Sequence, residues 1–467
     1  MSMNKYNLED TIAAISTPLG EGGIGIVRIS GRKALEIADK IFLSKDGSKP
    51  SEYHSFTIHY GHIVERSAGR KQIVDEVLLT VMRAPRTYTR EDIVEINCHS
   101  GIVPLGRILE LALKEGARLA QPGEFTLRAF LKGRIDLTQA EAVLDIVKAK
   151  TEKSLEIASQ QLAGKFSQRI RELKEKILNI YAELEASIDF PEEDVELQDR
   201  NSLLKEVKKV KGVIEELLNN SDKGMIFREG ISVVICGKPN VGKSSLMNLL
   251  LKKNRCIVSP FPGTTRDAIE EWINIEGIPL RLIDTAGITK SRNILDGEAI
   301  KRSQDYLKIA DMVLFMLDGS RKITNDDMRI FQMLKEKPKI ILVNKKDLPQ
   351  KYTLSELKKI FKGDLVRISC LTEEGIERLC QKIRDFILKG NVIDQEGYLV
   401  TNLRHKEALI KAKDCLDKVS EGLTRGAFPE LVILDLKEAL ENLQIILGEN
   451  FTPDILERIF SQFCIGK

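Results

Sequence analysis

The sequence predicts a multidomain protein of mixed α/β and α class, in which one α/β domain comes first and a second is inserted between two helical segments. Three observations support this prediction. Strand-like segments alternate with short helical segments before about residue 135. A helical stretch almost free of Gly and Pro, apart from Gly164, runs from Thr138 to about Ile188. A glycine-rich turn, Gly237–Ser244, lies between an apolar run and a helical run. At 467 residues, the chain is long enough for about three domains.

Composition excludes several classes of protein. With 42% hydrophobic and 30% charged residues and a net charge of only +3, the chain reads as globular without a global basic field. Contact with a nucleic acid then requires a local patch or a partner. The first thirty residues lack a signal pattern, and no apolar run approaches the roughly eighteen residues of a membrane span. We therefore expect a cytoplasmic protein with no membrane contact.

The cysteines give no sign of a disulfide framework or a zinc site. They are scattered, odd in number and never spaced as a CxxC pair. We expect reduced thiols, as in a cytoplasmic protein. The seven are Cys98, Cys236, Cys256, Cys370, Cys380, Cys415 and Cys464.

The N-terminal region, residues 1–135, reads as a mixed α/β domain. Alternating apolar residues predict strands at Thr11–Ser16, Gly25–Ile29, Phe56–Val64, Val74–Met82 and Glu91–Asn97, and helices at Ala34–Phe42 and from about Val103 to Glu115. Three histidines, His54, His59 and His62, lie close together there. Because no acidic or cysteine partner stands at a suitable spacing, we interpret them as surface and cross-strand residues and not as a metal site.

The helical segments form a bundle on this interpretation. Apolar residues recur at helical spacing from Thr138 to Ile188, an acidic turn follows at Phe190–Asp194, and another helix is expected at about Asn201–Leu218. These helices should pair with helices after Leu403. The predicted domains are residues 1–135, the first helical half at 136–223, the inserted domain at 224–388, and the second helical half at 389–467.

The turn Gly237-Lys238-Pro239-Asn240-Val241-Gly242-Lys243-Ser244 matches the phosphate-binding pattern of Gly, four residues and Gly-Lys-Ser. The apolar run Ile231–Cys236 precedes it and the helical run Ser245–Leu251 follows. In this context backbone N–H groups face phosphates, Lys243 reaches the terminal pair, and the Ser244 hydroxyl binds Mg²⁺. The alternative is a glycine-rich turn without a ligand, which the context disfavours.

Four further motifs indicate that the nucleotide is GTP. Asp284-Thr285-Ala286-Gly287 ends an apolar run and suits the Mg²⁺ shell and the γ-phosphate. Thr264-Thr265-Arg266-Asp267 offers a second Mg²⁺ hydroxyl, assigned to Thr265. The carboxylate of Asn344-Lys345-Lys346-Asp347 can accept from guanine donors that adenine lacks. Ser369 fits the last guanine loop. Motifs in this order predict a Ras-like P-loop GTPase domain.

The predicted GTP-binding residues include the loop between these motifs. They are Gly237, Asn240, Val241, Gly242, Lys243, Ser244, Ser245, Ser259, Pro260, Phe261, Pro262, Gly263, Thr264, Thr265, Asp284, Thr285, Ala286, Gly287, Asn344, Lys345, Asp347 and Ser369.

Outside these motifs the chain has five segments that other GTPases lack. They are Gly22–Gly31, Tyr88-Thr89-Arg90-Glu91-Asp92, Pro122-Gly123-Glu124-Phe125-Thr126, Ile188–Glu193 and Phe463-Cys464-Ile465-Gly466-Lys467. With these segments and the GTPase motifs, the chain closely resembles the tRNA-modification GTPase family MnmE, also called TrmE, over essentially its whole length.

The resemblance implies an N-terminal folate-binding domain that forms a homodimer, a discontinuous helical domain and an inserted GTPase domain. It implies that the protein, with an MnmG-type flavoprotein carrying FAD, adds an aminomethyl-type or carboxymethylaminomethyl group at C5 of the wobble uridine (position 34) of certain tRNAs. The carbon comes from a tetrahydrofolate derivative, either 5-formyl- or methylene-tetrahydrofolate. By position, the folate contacts fall on Arg28, Glu95, Arg134 and Lys467, and Cys464 matches the C-terminal cysteine of the family.

The same resemblance places a potassium ion beside the phosphates, bound by Asn240, Ser259, Phe261 and Thr264, where other GTPases use an arginine finger. Ile288 follows Gly287 where some GTPases carry a water-orienting Gln. Asp296 stands where the family has its catalytic Glu, with Glu298 as the alternative carboxylate. Arg90, Ser100, Arg134 and Cys370 also depart from the family pattern.

Two other functions remain open at this point. A ribosome-assembly GTPase acting as a switch would carry the same nucleotide motifs, but it normally has an appended RNA-binding module that the sequence lacks. A folate enzyme with an inert P-loop domain is disfavoured because the GTPase motifs are intact. Folate binding distinguishes a tRNA-modification GTPase from a ribosome-assembly switch, since such a switch has no use for the N-terminal domain.

Overall fold

The structure is a computed structural model, and it describes residues 9–67, 70–189, 200–256, 270–284, 308–334, 336–388 and 398–467. The chain divides into two compact units. The first comprises Met1–Leu144 together with Gln444–Lys467, and the second comprises Asp145–Leu443. The predicted limits of the four sequence segments stay a prediction.

The strands of the described ranges form two sheets. They are β1 (Ile12–Ile15), β2 (Gly25–Ser30), β3 (Phe42–Ser44), β4 (Thr57–Ser67), β5 (Arg70–Met82), β6 (Ile93–Cys98), β7 (Arg118–Leu119), β8 (Ile231–Cys236), β9 (Glu270–Ile275), β10 (Ile278–Asp284), β11 (Met312–Asp318), β12 (Lys339–Asn344) and β13 (Asp364–Arg367).

Helices of the same ranges account for most of the rest. They are α1 (Ala34–Ile41), α2 (Ile102–Lys114), α3 (Glu124–Leu131), α4 (Leu137–Lys148), α5 (Glu152–Leu162), α6 (Lys165–Asp189), α7 (Arg200–Asn219), α8 (Ser221–Glu229), α9 (Lys243–Asn254), α10 (Asn325–Met333), α11 (Leu354–Ile360), α12 (Ile376–Leu388), α13 (Leu403–Arg425), α14 (Pro429–Leu447) and α15 (Pro453–Phe460).

The first unit is built on a sheet with the strand order β3-β4-β5-β6-β2-β1-β7. Helices α1 and α2 cover one face, because their apolar stripes, including Ile37 and Ile108, join the buried strand residues Val27 and Ile96 in one core. On β2 and β6 the residues that alternate with this core point to the opposite face. Arg28 and Glu95 are paired opposite each other there.

The C-terminal helix α15 packs within the first unit. Its buried residues Leu456 and Phe460, followed by Phe463, share a core with α3 and α4 residues such as Leu127 and Leu144. The tail of the chain is therefore folded back onto N-terminal residues.

The second unit contains the phosphate-binding domain. Its sheet has the order β13-β12-β11-β8-β10-β9, and all of its pairs are parallel except β9 with β10. The four central strands are almost wholly apolar, as expected for parallel strands covered on both faces. This order, with one antiparallel edge strand, is the Ras-like arrangement that the motifs predicted.

Helices before and after the phosphate-binding domain pair as predicted. Lys211 of α7 forms an ion pair with Asp417 of α13. The Gln161 side chain of α5 donates to the hydroxyl of Thr401, which lies just before α13, at 3.0 Å. The helical segments on either side of the inserted domain therefore pack together inside the second unit.

Every element predicted in the N-terminal region is observed with the predicted type, but β3, β7 and α3 were not predicted, and Phe42 begins β3 and does not belong to α1. The main difference is the length of the β4–β5 pair, which extends to Ser67 and Arg70. The distal ends of β4 and β5 carry polar residues on both faces of the sheet. No alternation of apolar and polar residues therefore predicted these ends as strand. Glu91 is also a buried loop residue before β6 and not its first residue. Helices α8, α10, α11 and α12 were not predicted individually.

Two histidines of the first unit lie against aromatic rings. His59 stacks on Tyr53 with ring centroids 3.4 Å apart, and His62 meets the Tyr60 ring edge. Within the described ranges no three metal-binding side chains are grouped as a site. The seven cysteines are all free thiols. No helix that the structure describes is long and apolar enough to cross a membrane.

Candidate functional site

The phosphate-binding loop has the backbone that its glycines predict. Gly237 has a φ of +148°, and a Cβ at this position would lie 2.3 Å from the main-chain oxygen of Met316. Gly242, which precedes α9, has a φ of +105°, in the region that favours glycine. Asn240 adopts a φ of +64°, which Asn tolerates better than most residues. The loop therefore leads from β8 into the N-terminus of α9 in the shape needed to cradle phosphates.

Two lysines fix this loop and supply its charge. The ammonium of Lys243 donates to the main-chain oxygens of Gly237 and Lys238, at 2.9 and 2.8 Å. Lys238 forms an ion pair with Asp327 at 2.7 Å, in the first turn of α10. Lys243 is thus held over the loop, with its charge directed at the place where phosphate oxygens would bind. Ser244 is exposed at the start of α9, as a Mg²⁺ ligand must be.

Asn344 joins this loop to the predicted guanine loops. Its Nδ2 donates to the main-chain oxygen of Val241 at 2.8 Å, and its Oδ1 accepts the N–H of Cys370 at 3.1 Å. The side chain is buried. Asn344 therefore acts from inside the protein, as a connector between three loops, and its amide is already engaged.

The guanine loops after β12 and β13 are tied to each other and to β11. Asp347 remains exposed and accepts from the hydroxyl of Ser369 at 2.5 Å. Lys345 has a φ of +64° and donates to Asp318 at 2.7 Å. Burial alone would raise the pKa of Asp318, but hydrogen bonds from Lys345 and Ser320 lower it below its ordinary value. An oriented, exposed carboxylate at Asp347 suits a base with two adjacent donors.

The cysteines near this site are not reactive thiols. Burial raises the pKa of Cys236 to about 12 and that of Cys370 to about 11. At neutral pH both are protonated, so neither is an activated nucleophile. Cys370 contributes its main-chain N–H to Asn344.

Several predicted site residues lie outside the described residues. They are Ser259, Pro260, Phe261, Pro262, Gly263, Thr264, Thr265, Thr285, Ala286, Gly287, Asp296 and Glu298. The backbone of Asp284 is described as the end of β10, one strand over from the phosphate-binding loop. The described members of the set, from Gly237 to Ser245 and from Asn344 to Ser369, are brought to the carboxyl ends of β8, β12 and β13.

A second group of charged side chains lies on the sheet of the first unit. Arg28 donates from Nε to Oε1 of Glu95 at 2.7 Å, and each side chain is about one-fifth exposed, at 21% and 22%. The Arg28 guanidinium also stacks over the ring of Phe125, 5.5 Å from its centroid. Phe125 itself is fully buried, so the groups that this place presents are the guanidinium of Arg28 and the carboxylate of Glu95, which offer both hydrogen-bonding polarities.

The tail of the chain completes this group. The main-chain oxygen of Gly466 accepts from Ser16 Oγ and from Arg28 Nη1, both at 3.2 Å. The N–H of Phe125, in the first turn of α3, donates to the main-chain oxygen of Lys467 at 3.1 Å. Cys464 is exposed beside them. The structure thus brings Arg28, Glu95 and the predicted tail residues to one place.

Arg134, the fourth predicted folate residue, stacks over Tyr88 at 4.8 Å. Tyr88 packs against the cluster that contains Phe125. Burial raises the pKa of Tyr88, and the charges of Arg134 and Arg28 act against that rise. The two arginines therefore flank one pair of aromatic rings, Tyr88 and Phe125.

A buried ionic network fixes α3, which carries Phe125. Arg128 is fully buried and donates to Asp10 at 2.5 Å and to Glu124 at 3.0 Å; it also contacts Glu91 at 3.2 Å. Burial would raise the pKa of Glu124, but hydrogen bonds from Arg118, from a main-chain N–H and from Arg128 lower it. Paired, hydrogen-bonded charges of this kind impose one orientation, and removing one partner leaves the others buried without compensation.

Sequence reasoning missed Ser16, Tyr88 and Phe125 as members of this group. Tyr88 and Phe125 stand within two of the segments that carried the family resemblance, so a signal was present. Ser16 had none, because its contact with Gly466 spans 450 residues.

Comparison with known proteins assigns similarity to the whole chain. A family model described as the N-terminus of the GTP-binding protein TrmE matches residues 11–134. A second, described as the MnmE helical domain, matches residues 137–464.

Full-length relatives agree with these models. A protein named tRNA modification GTPase MnmE from Alkaliphilus oremlandii is 47% identical over 98% of this chain and 100% of its own length. Proteins of the same name from Thermoanaerobacter pseudethanolicus and Geobacillus kaustophilus are 49% and 47% identical. Each of these two matches covers 98% of this chain and 99% of the relative.

Proposed function

The chain belongs to the MnmE family of tRNA modification GTPases and hydrolyses GTP, and from that premise we propose that it is a potassium-activated subunit of a complex that modifies the wobble uridine. The group added at C5 is of the aminomethyl or carboxymethylaminomethyl type. A flavoprotein of the MnmG type, carrying FAD, is the proposed partner, and a tetrahydrofolate derivative is the proposed source of the carbon. The protein acts as a homodimer in the cytoplasm on this proposal.

The observation that carries the folate part is the convergence of Arg28, Glu95 and the tail beside Phe125. A pterin ring has an edge of alternating donors and acceptors, which a partly exposed carboxylate such as Glu95 can meet. Its flat ring suits stacking on a guanidinium plane such as that of Arg28, and the glutamate end of a folate suits Arg134 or Lys467. GTP hydrolysis alone gives no reason for these groups to be assembled.

In the GTPase site, the residues of this chain bind and orient the nucleotide. Main-chain N–H groups of Gly237–Ser245 and the charge of Lys243 hold the phosphates, and Asp347 selects guanine. Ser244, with Thr265, would hold Mg²⁺. Asn240 would hold K⁺ through its exposed amide oxygen, a neutral hard donor. Both ions would supply positive charge near the phosphates where negative charge develops.

Potassium dependence tests the GTPase part of the proposal. GTP turnover should be much faster in K⁺ than in Na⁺ at equal ionic strength. Asn240→Gly is the sharpest variant, since glycine keeps the backbone at a φ of +64° and removes only the amide. It should lose the K⁺ stimulation and retain nucleotide affinity. Equal turnover of the unaltered protein in the two salts would refute a role for K⁺.

Folate binding and uridine conversion test the other two parts of the proposal, the folate site and the modification of tRNA. The protein should bind 5-formyl-tetrahydrofolate in calorimetry, and Glu95→Gln should weaken the binding by about tenfold or more because it removes a charge-assisted pair. A matched control is Glu36→Gln on the exposed side of α1. With the flavoprotein partner, the unaltered protein should convert uridine at position 34 of a tRNA, as read by mass spectrometry of nucleosides. Absence of folate binding would favour a GTPase switch of another kind.

A further inference from the structure

We propose that Thr151 is a positioning residue that links the β9–β10 turn of the GTPase domain to helix α5, and so couples the nucleotide site to the helical segments. The contact lies entirely within the second unit. The inference rests on the proposed role in tRNA modification for its purpose, but its geometry can be tested by itself.

The link begins with one hydroxyl that serves two elements. Thr151 caps α5, because its Oγ1 accepts the N–H of Ser154 at 3.1 Å. The same hydroxyl donates to the main-chain oxygen of Gly277 at 2.8 Å. Thr151 is buried, so these bonds are shielded from water. An element of the helical segment is thus hydrogen-bonded to the turn between β9 and β10.

Ser154 makes a second bond from the same turn of α5. Its hydroxyl donates to the main-chain oxygen of Phe227 at 2.6 Å. Phe227 lies in α8, which leads through Gly230 into β8 and hence into the phosphate-binding loop. The first turn of α5 therefore holds both the entry to β8 and the β9–β10 turn.

The β9–β10 turn joins two strands that both adjoin predicted nucleotide-binding motifs in the sequence. β9 follows the predicted Thr264–Asp267 motif, and β10 ends at Asp284, the first residue of the predicted Asp284–Gly287 motif. From Gly277 to Asp284 the strand spans about 23 Å at roughly 3.3 Å per residue. A hydrogen-bonded strand pair transmits a shift of one end to the other, since sliding one strand breaks its register.

Neighbouring contacts restrict the turn to one position. Glu276 forms an ion pair with Arg384 of α12 at 2.5 Å. Gly277 has a φ of +92°, and a Cβ there would lie 3.2 Å from Lys153. Lys150 stands over the ring of Trp272 on β9, 5.9 Å away. Charged and apolar contacts thus hold the turn, and the hydrogen bond from Thr151 joins it to the residue that caps α5.

The consequence is a route between GTP and the helices. The motifs predicted to contact Mg²⁺ and the γ-phosphate, Thr264–Asp267 and Asp284–Gly287, adjoin β9 and β10 in the sequence at the strand ends away from Gly277. On this proposal, these motifs move when the bound nucleotide changes, and the β9–β10 hairpin moves with them. The displacement of Gly277 then shifts Thr151 and the first turn of α5 through their hydrogen bond. Without the Thr151 hydroxyl, the GTPase site should still assemble, but a change of bound nucleotide should no longer displace α5.

Thr151→Val tests the link, because valine has the shape of threonine and no hydroxyl. Thr151→Ser keeps the hydroxyl and should restore function. Thr353→Val is the control for losing a helix cap, since Thr353 caps α11 in the GTPase domain and accepts the N–H of Glu356. Both valine variants lose a helix cap and should lower the midpoint of thermal unfolding, so thermal stability alone does not distinguish them.

The primary measurement is hydrogen exchange, by mass spectrometry, of peptides covering residues 151–162. In the unaltered protein with K⁺, their exchange should differ between the GDP state and the state with GDP and aluminium fluoride. Thr151→Val should abolish that difference while the peptide covering Gly237–Ser245 still responds. Thr353→Val and Thr151→Ser should behave like the unaltered protein. No nucleotide-dependent difference in the unaltered α5 would overturn the inference.

A second measurement compares GTP turnover with tRNA modification in the presence of the flavoprotein. Thr151→Val should keep the kcat for GTP within about twofold, and lower the rate of uridine conversion by about tenfold, a loss of coupling of about 1.4 kcal/mol. If Thr151→Val modifies tRNA as fast as Thr353→Val, the link has no coupling role. If the unaltered protein modifies no tRNA, the proposed function fails, and the exchange experiment still decides the link.

Discussion

The side-chain amide of Asn344 donates to the main-chain oxygen of Val241 across 2.8 Å, and so ties the end of β12 to the phosphate-binding loop. A Cβ at Gly242 would lie 2.3 Å from that amide nitrogen, so glycine is required where the two meet. Asn344 also accepts the N–H of Cys370. Asn344, the first residue of the predicted guanine motif, therefore ties the phosphate-binding loop to the two predicted guanine loops.

Asn344→Ala should destabilise the nucleotide site more than the fold. It leaves the buried oxygen of Val241 and the partly buried N–H of Cys370 without their partner, at a cost of about 1–3 kcal/mol for the buried group and less for the other. We expect the Kd for GDP to rise by about tenfold or more. Asn442→Ala is the matched control, since Asn442 is also buried but bonds to Glu438 within α14. Equal GDP affinity of Asn344→Ala and the control, in a fluorescent-nucleotide titration, would contradict the role.

Gly466→Ala should displace the tail from the folate group. Gly466 has a φ of +97°, and a Cβ there would lie 2.4 Å from the main-chain oxygen of Ile15. We expect faster hydrogen exchange in residues 461–467, and binding of 5-formyl-tetrahydrofolate weakened by about tenfold as Gly466 moves away from Arg28. Deletion of Ile465–Lys467 should have the same effect on folate and abolish tRNA modification, and GTP turnover should stay unchanged in both variants.

The control for Gly466→Ala is Gly116→Ala. Gly116 has a similar φ of +111°, but a Cβ there would meet nothing within 4 Å. Both variants carry the backbone strain, and only Gly466→Ala carries the clash. If the two weaken folate binding equally, the tail does not contribute through its docked position.

His99 and Asp75 should titrate as a pair. Nδ1 of His99 lies 2.7 Å from Oδ1 of Asp75. The hydrogen bond and the charge of Asp75 raise the pKa of His99 above 6.5, and Glu76 adds to this. The contact therefore contributes stability below the unfolded pKa, and that contribution is lost as the pH rises through the raised folded pKa.

The NMR titration of the ring signals checks this pair. Asp75→Asn should lower the pKa of His99 toward 6.5. His59 is the internal control, since burial lowers its pKa in the same domain, and Asp75→Asn should not change it. A His99 pKa that is insensitive to Asp75→Asn would show that the two groups do not interact in solution.

Asp296 should provide the carboxylate that orients the attacking water. It lies outside the described residues, and the prediction follows from its position relative to the family's Glu. Asp is shorter by one methylene, about 1.5 Å, and a misplacement of about 1 Å can cost about a hundredfold in rate. Asp296→Asn should cut K⁺-stimulated turnover sharply, and Asp296→Glu should match or raise it. Nucleotide affinity should stay constant, since the group acts in the transition state.

Glu298→Gln is the matched test of the alternative. On our prediction it leaves turnover close to that of the unaltered protein. If Glu298→Gln alone abolishes hydrolysis, the carboxylate belongs to Glu298, and the transfer by position is wrong.

The sequence by itself determined the GTPase domain. The run Ile231–Cys236, the loop Gly237–Ser244 and the helix after it are consecutive, and their signals are local: apolar continuity, required positive φ values and helical spacing. The strand before Asn344 was predictable for the same reason. Most strands and helices of the N-terminal region were predictable from the periodicity of their apolar residues. This signal is absent at the polar distal ends of β4 and β5, where neither face of the sheet is covered.

Tertiary structure alone decided which of these local elements meet. Asn344 reaches Val241 across 103 residues, Thr151 reaches Gly277 across 126, and Arg28 reaches Gly466 across 438. A hydrogen bond depends on a few ångströms and on the direction of a donor, and periodicity in the sequence carries neither quantity between distant elements. The role of Asn344 as a connector, the link at Thr151 and the tail beside Glu95 therefore became visible only when packing had fixed the backbone on both sides of each contact.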